Sequence, residues 1–311
     1  MRVLVCGSFN LDHVWTTEQL PEPGATRSGR YASGPGGKGF NQAVACARAG
    51  AATGFIGALG RDPAAELARS LAADNGIALF AQTVDHLPSG TAAVLVDGAG
   101  RNLIVVALGA NLALSPAFVR RTVAAHRGAD VFLAQLESPV DTIRAGLEAA
   151  REAGQFTVLN PAPADARVDA GLLAACELVT PNETEFVAMV AGLGGPALDA
   201  GAVAGLDDAA LLAACRVLGC PRVLVTLGGA GCVLVADGRV TQHAAAPVAC
   251  VDSTGAGDAF NGALCARLTE GATLDEAIGF ATRYAGLSTE RAGAALSMPT
   301  RAELDARFPA R

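Results

Sequence analysis

Short runs rich in Val, Ile and Leu alternate along this chain with longer stretches whose apolar residues recur at helical spacing. The runs at 2–7, 53–58, 130–134, 156–160, 176–180 and 222–226 predict strands buried on both faces. The amphipathic stretches at 39–49, 63–74, 115–126, 139–153, 183–191, 207–218, 257–269 and 273–291 predict helices. Such alternation specifies an α/β fold, a mostly parallel sheet with helices on both faces. Two places break the pattern. Residues 13–17 and 29–33 are strand-like around Pro21, Pro23 and Gly24, and 91–97 and 101–107 flank Asp97-Gly98-Ala99-Gly100, a hairpin signal. Strands without crossover helices cannot join a parallel layer, so they are expected to form a small separate sheet. The expected division is a main domain of residues 1–12, 36–88 and 108–311 and a β-sheet unit of 13–35 and 89–107. Ala191 to Gly205, rich in Gly and Ala, reads as an exposed loop.

Composition narrows the class. At 311 residues the chain can bury a large core, and its 51% apolar but only 5% aromatic content suits alanine-rich helices against a sheet. No run reaches the ~18 uninterrupted apolar residues of a membrane span. Met1-Arg2-Val3-Leu4-Val5-Cys6 enters a strand pattern directly, without the length of a signal peptide, so a cytoplasmic protein is expected. A net charge of −7 argues against a nucleic-acid partner, which needs a basic stripe. The eight cysteines lack C-x-x-C spacing and sit mostly among Ala, Val and Leu, as small core hydrophobes do in a reducing compartment. The four histidines show no metal-ligand spacing.

The most informative string is Asp252-Ser253-Thr254-Gly255-Ala256-Gly257-Asp258, followed by the helical Ala259-Phe260-Asn261-Gly262-Ala263-Leu264. Backbone N–H groups at a Gly-rich turn leading into a helix converge on a point that favours an anion. Asp258 has two readings there. It is either a helix cap or a base that takes the proton of a hydroxyl attacking the anion. At a helix start it should ionise readily, which makes it a modest base available at neutral pH. Earlier, Gly34-Pro35-Gly36-Gly37-Lys38-Gly39 matches G-x-G-x-x-G formally but does not follow the first core strand directly, as a dinucleotide fingerprint must. A Walker A loop fails too, because Gly39 follows Lys38 where Ser or Thr is required. What remains is a flexible turn bringing N–H groups, Lys38 and Asn41 close to a small polyol.

Asp252 to Leu264 closely resembles the C-terminal signature of the ribokinase-like (PfkB) sugar kinases, and Gly36-Gly37-Lys38-Gly39-Phe40-Asn41-Gln42-Ala43 resembles their N-terminal signature. Gly7 to Asp12, Gln135-Leu136-Glu137-Ser138-Pro139, Asn160-Pro161-Ala162-Pro163-Ala164, Thr180 to Glu185 and Val225 to Gly229 arrive in the family's order, so the resemblance spans the whole chain. These landmarks fall at the carboxyl ends of expected strands, where open α/β sheets bind ligands. The resemblance implies the family's fold, with the small sheet as a lid that excludes water and often clasps a second subunit as a homodimer. It implies that Asn10, Asp12, Gly37, Lys38, Asn41, Glu137 and Asp258 hold the sugar. Asn182, Thr226, Gly228, Gly255 and Gly257 would hold ATP, and Glu185 would serve Mg²⁺ through water. Asp252, Thr254, Ser288, Arg291, Gly293 and Ser297 would form a K⁺ site, for which oxygen ligands suit a hard cation. Asn182 with Glu185 also reads as a capping box, Thr226 and Gly228 as an ordinary turn, and Asp252 as a turn cap.

The activity implied is transfer of the γ-phosphoryl group of ATP to the primary hydroxyl of a pentose, D-ribose to D-ribose 5-phosphate, with Asp258 as base and Gly255, Ala256 and Gly257 in the anion turn. Alternatives within the family are 2-deoxyribose, fructose or nucleoside kinases. The polar cluster of Asn10, Asp12 and Glu137 counts against the roomier site of a nucleoside kinase. A catalytically silent sugar binder would not need Asp258, the glycine turn and Lys38 together. Phe40 stands where the family usually has Ala, and Leu11 lies between Asn10 and Asp12; Phe40 faces either the pocket, narrowing it, or the core.

Overall fold

In β1 (Val3–Cys6) side chains alternate between two cores: Val3 and Val5 join one apolar cluster, Leu4 and Cys6 the other, all fully buried. That is the signature of a central strand covered on both faces. The computed structural model describes residues 1–164 and 168–309; the last two positions of the expected main domain lie outside the described residues. β1 pairs in parallel with β4 (Thr53–Leu59) and β8 (Val131–Ala134), and β4 pairs with β5 (Ala78–Thr83). Beyond β8 the sheet continues in parallel through β9 (Phe156–Leu159), β10 (Leu178–Val179) and β11 (Arg222–Thr226). It ends in an antiparallel pair, β12 (Cys232–Ala236) and β13 (Arg239–His243).

Helices cover both faces of this sheet. One core holds residues of α1 (Lys38–Arg48), α2 (Pro63–Asp74), α8 (Ala256–Leu268), α9 (Leu274–Ser288) and α10 (Arg301–Arg307). The other holds residues of α3 (Pro116–Ala125), α4 (Val140–Glu152), α5 (Ala170–Ala174), α6 (Glu183–Gly192) and α7 (Asp208–Leu218). All eight cysteines are free and six are buried; desolvation pushes the Cys6 thiol up to about 12. Among the described residues no helix is long and apolar enough to cross a membrane.

A second sheet has the order β3-β2-β6-β7, from β2 (Asn10–Thr16), β3 (Arg30–Gly36), β6 (Gly90–Val96) and β7 (Asn102–Ala107). β2 pairs antiparallel with β3 and parallel with β6, while β6 and β7 form the hairpin read from the sequence. This sheet begins at Asn10, so Asn10 and Asp12 ride on its first strand, opposite Gly36 and Gly34.

Several elements differ from the sequence reading. β5 lies at the sheet edge with mostly half-buried residues, too weak an apolar signal to mark a strand. α5 is a five-residue helix capped by Asp169, and α10 starts on the capping box of Thr300 and Glu303. The strand expected over 176–180 is reduced to Leu178–Val179, and the helix expected over 273–291 stops at Ser288. Beyond it the Thr289 carbonyl accepts from the N–H groups of Val251 and Asp252, which ties the helix end to the anion turn. The expected loop Ala191–Gly205 contains a 3₁₀ turn, Ala200–Gly205.

Candidate active site

The strand ends β1, β8, β9, β10 and β11 converge where α1 and α8 begin. α1 follows Gly37, whose φ of 87° lies in the region glycine favours and turns the chain from β3 into the helix. A Cβ on Gly39 would lie 2.6 Å from the Ser8 nitrogen, so only glycine lets α1 sit on the end of β1. The Glu137 carboxylate fixes the turn, accepting from Ser8 Oγ at 2.6 Å and from the Lys38 N–H at 3.0 Å.

α8 starts after Gly255, which is left-handed (φ 74°) and provides no side-chain cap. The N–H of Ala256 is committed to the Ser253 carbonyl at 3.1 Å. Those of Gly255, Gly257 and Asp258 make no hydrogen bond among the described residues. Three free donors at the positive end of a 13-residue helix make an anion site. They open on a pocket of about 200 Å³ lined also by Lys38, Asn182, Glu185 and Thr226.

Asp258 is 7% exposed, and both its oxygens are held. Asn41 Nδ2 donates to Oδ2 at 2.9 Å and Gln42 Nε2 to Oδ1 at 2.9 Å. Burial raises its pKa above the ordinary carboxylate range, against the lowering pull of Lys38, Asn41 and Gln42. The direction is opposite to the one an acid at a helix start would show by itself, because loss of water dominates, and a stronger base results. Burial also raises Asp12, to about 6, with help from the Glu137 and Asp258 carboxylates. Desolvation lowers Lys38, but the surrounding Asp258, Glu137 and Glu185 outweigh it and the ammonium stays favoured. These mutual influences place Asp12, Lys38, Glu137, Glu185 and Asp258 in one electrostatic cluster.

Asn10 Oδ1 accepts from Asn111 Nδ2 at 3.0 Å, and Asn111 also bonds the Phe9 N–H and carbonyl. Asn182 and Glu185 form the capping box that the spacing allowed, with Glu185 Oε2 accepting from the Asn182 N–H at 2.9 Å and Asn182 Oδ1 from the Glu185 N–H at 2.8 Å. Thr226 bonds Pro181 and lines the pocket; Gly228 lies beyond it in a 3₁₀ turn and is not a lining residue. Phe40 is fully buried, edge-on to Phe9 (5.1 Å) and Phe55 (5.5 Å), so it belongs to the core and does not narrow the pocket. Leu11 packs partly buried against the same core.

The loop of Asp252 meets the C-terminal segment. Asp252 accepts from the Thr254 and Gly293 N–H groups, both at 2.9 Å. Ser288 Oγ donates to the Ala285 carbonyl and Ser297 Oγ to that of Ala294. The Arg291 guanidinium turns away to Glu303, 3.0 Å distant, leaving only its carbonyl for any cation. The sequence reading missed Gln42, Gln135, Asn160, Thr180, Asn261 and Asn111 as site residues. The Asn-Gln pair after Gly39-Phe40 and the amides at strand ends were the available signals.

The description "pfkB family carbohydrate kinase" matches residues 1–301. A ribokinase of Haemophilus influenzae is 36% identical over 304 residues, covering 96% of this chain and 95% of the relative. Ribokinase from Giardia lamblia superimposes with a TM-score of 0.88 at 29% identity, covering 99% of this chain and 98% of that one. Arabidopsis thaliana ribokinase, solved in complex with ribose and ATP, superimposes with a TM-score of 0.85 at 30% identity, covering 100% and 99%. The chain belongs to the pfkB family of carbohydrate kinases and has its ribokinase-like α/β fold. It is a phosphotransferase with an alcohol group as acceptor.

Proposed function

We propose that this chain transfers the γ-phosphoryl group of ATP to the primary hydroxyl of D-ribose, giving D-ribose 5-phosphate and ADP. The observation that carries the reading is the buried Asp258, oriented by Asn41 and Gln42 on the first turn of a helix whose N–H groups are free. Full-length likeness to ribokinases supports ribose over other acceptors. Asn10, Asp12, Gly37, Lys38, Asn41 and Glu137 hold the sugar. A sugar lacking a matching hydroxyl leaves one of these polar groups unpaired. Asp258 takes the hydroxyl proton as the sugar oxygen bonds to phosphorus and the bond to the ADP oxygen breaks. The N–H groups of Gly255, Gly257 and Asp258, with Lys38, receive the charge on the transferring oxygens. Little nucleophile activation is needed in so loose a transition state, so placement and electrostatics dominate.

Asn182 and Thr226, which line the pocket, flank the nucleotide, with Gly228 next to them in the 3₁₀ turn that follows β11. Glu185 fits a hydrated Mg²⁺: it lines the pocket, and its Oε1 accepts no hydrogen bond among the described residues. Mg²⁺ would neutralise β/γ-phosphate oxygens. The carbonyls and hydroxyls of Thr254, Ser288, Arg291, Gly293 and Ser297, with Asp252, fit an oxygen-ligated K⁺ bracing the anion turn. The test is ADP release against a panel of sugars and nucleosides with K⁺ or Na⁺. Fastest turnover with ribose, and with K⁺, is expected. Preference for a nucleoside would overturn the acceptor, and indifference to the ion would overturn the K⁺ site.

The small sheet is assigned as the sugar's lid and as the contact with a second copy in the cell's cytoplasm. Its edge strand β7 exposes Leu103, Ile104, Val105 (71%) and Val106, an apolar edge that natural proteins cover. Light scattering should give a dimer for the native chain and a monomer for Val105→Lys.

A further inference from the structure

Gln42 is fully buried beside the reacting carboxylate and is not among the residues that line the pocket onto which the anion turn opens. Its Nε2 donates to Asp258 Oδ1 at 2.9 Å and to Asn160 Oδ1 at 3.1 Å, and its Oε1 accepts from Gln135 Nε2. A carboxylate only accepts hydrogen bonds. Gln42 must therefore aim its N–H groups at Asp258 and its carbonyl at Gln135, so the direction of the whole chain of amides follows from the charge on Asp258. A second path leaves through Asn160. Its Nδ2 donates to the Thr180 carbonyl at 3.0 Å, Thr180 Oγ1 to Asn261 Oδ1 at 2.6 Å, and Asn261 Nδ2 to the Gly257 carbonyl at 2.9 Å. The path thus ends one residue before Asp258. It closes a buried ring through α1, the ends of β9 and β10, and the first turn of α8.

We infer that Gln42 is a positioning residue for phosphoryl transfer, holding Asp258 in its reacting orientation and in its ionised form, while Gln135 fixes the direction of the Gln42 amide. The inference rests on the reading of Asp258 as the base. Charge explains why such a donor is needed. The groups facing Asp258 are Lys38 from α1, Glu137 beyond β8, Asp12 from β2 and Glu185 from α6, three acids against one cation. Neutral donors favour the carboxylate without adding a cation that would compete for the phosphate. Without the Gln42 N–H the carboxylate is both less fixed and more readily protonated.

The test measures kcat, the KM for ribose and the pH dependence of kcat/KM for Gln42→Met, Gln42→Glu, Gln135→Met and Asp258→Asn in the full chain. For Gln42→Met the expected result is a kcat lowered roughly tenfold or more with the sugar KM little changed, and an acid limb moved up by about one pH unit. Gln42→Glu, which sets a carboxylate against a carboxylate, should move the limb further. Gln135→Met, which does not touch Asp258, should move it less and in the same direction. The position of the limb does not depend on the folded fraction, so poor yield does not hide it. Should neither Gln42 variant fold, Gln135→Met decides. Variants that melt earlier but keep the native limb and kcat would overturn the inference. If Asp258→Asn is inactive while those limbs stay put, only the positioning role fails; if Asp258→Asn turns over normally, the base itself is wrong.

Discussion

The two sheets meet water in opposite ways, and the two halves of the site divide along the same line. The central strands of the large sheet are buried on both faces, and the groups at their ends (Asn160, Thr180) and on the helices packed there (Gln42 of α1, Asp258 and Asn261 of α8) are buried and bonded to one another. The small sheet carries Asn10 and Asp12 on β2 but leaves Trp15, Tyr31 and the whole of β7 exposed. Under the proposed assignment, proton and phosphoryl chemistry draws its geometry from core packing, where a shift is costly. Sugar recognition, on the same proposal, depends in part on a thin layer with little core of its own. Disturbing the first half should therefore appear in kcat and stability, and disturbing the second in KM.

The largest effect expected from breaking this division is at Gly262, where α8 touches α1. An added Cβ would lie 2.4 Å from Ala45 Cβ and 2.6 Å from the Gln42 carbonyl, neither a flexible tip. Gly262→Ala should cost about 1–3 kcal/mol by overpacking. By drawing Asn41 and Gln42 off Asp258 it should also lower kcat more than it raises KM; thermal unfolding and steady-state kinetics check both. Native stability and kcat would show that the helix contact does not set the base.

Gly36 offers the reciprocal test. A Cβ there would stand 2.1 Å from Asp12 Oδ2, so Gly36→Ala must rotate Asp12 out of place. A raised ribose KM, roughly tenfold for one lost hydrogen bond to a charged group, with kcat nearly intact is expected. A smaller effect concerns pH. With a pKa of about 6 in the folded chain, raised first by burial and then by Glu137 and Asp258, Asp12 is ionised at neutral pH at some cost to stability. That cost is absent below its ordinary value of 3.8 and is fully present above about 6. Asp12→Asn should therefore melt slightly higher than the native chain at pH 8 and no higher at pH 3.5.

The sequence disclosed what has a strong local mark. Central strands were readable because both their faces are apolar, and the small sheet because its strands lack crossover helices. The β6–β7 hairpin carried its turn residues openly. β5, β12 and β13 escaped: β5 and β13 because edge strands are only half apolar, and β12, though buried, because it follows β11 without a crossover helix, although Asp237-Gly238, both at positive φ, mark the turn into β13. In the site, Gly255, Gly257 and Asp258 stood out because glycine spacing and an acid at a helix start are visible in one dimension. The ring of Gln42, Asn160, Thr180 and Asn261 did not. A buried amide and a surface amide are spelled alike, and only the packing of α1 on α8 and the strand ends brings these four together. Phe40 shows the same limit: its direction was undecidable until Phe9 and Phe55 were found on either side of it.

The central claim, that Asp258 deprotonates the sugar while the turn before it receives the phosphoryl group, is tested most directly by Asp258→Asn. The variant keeps the shape of the side chain and removes its basicity. With ribose and ATP in excess, kcat should fall by roughly 10²–10⁴, while equilibrium titration finds ribose affinity close to that of the native chain. Turnover within a few-fold of native, in protein that binds ribose normally, would contradict the account.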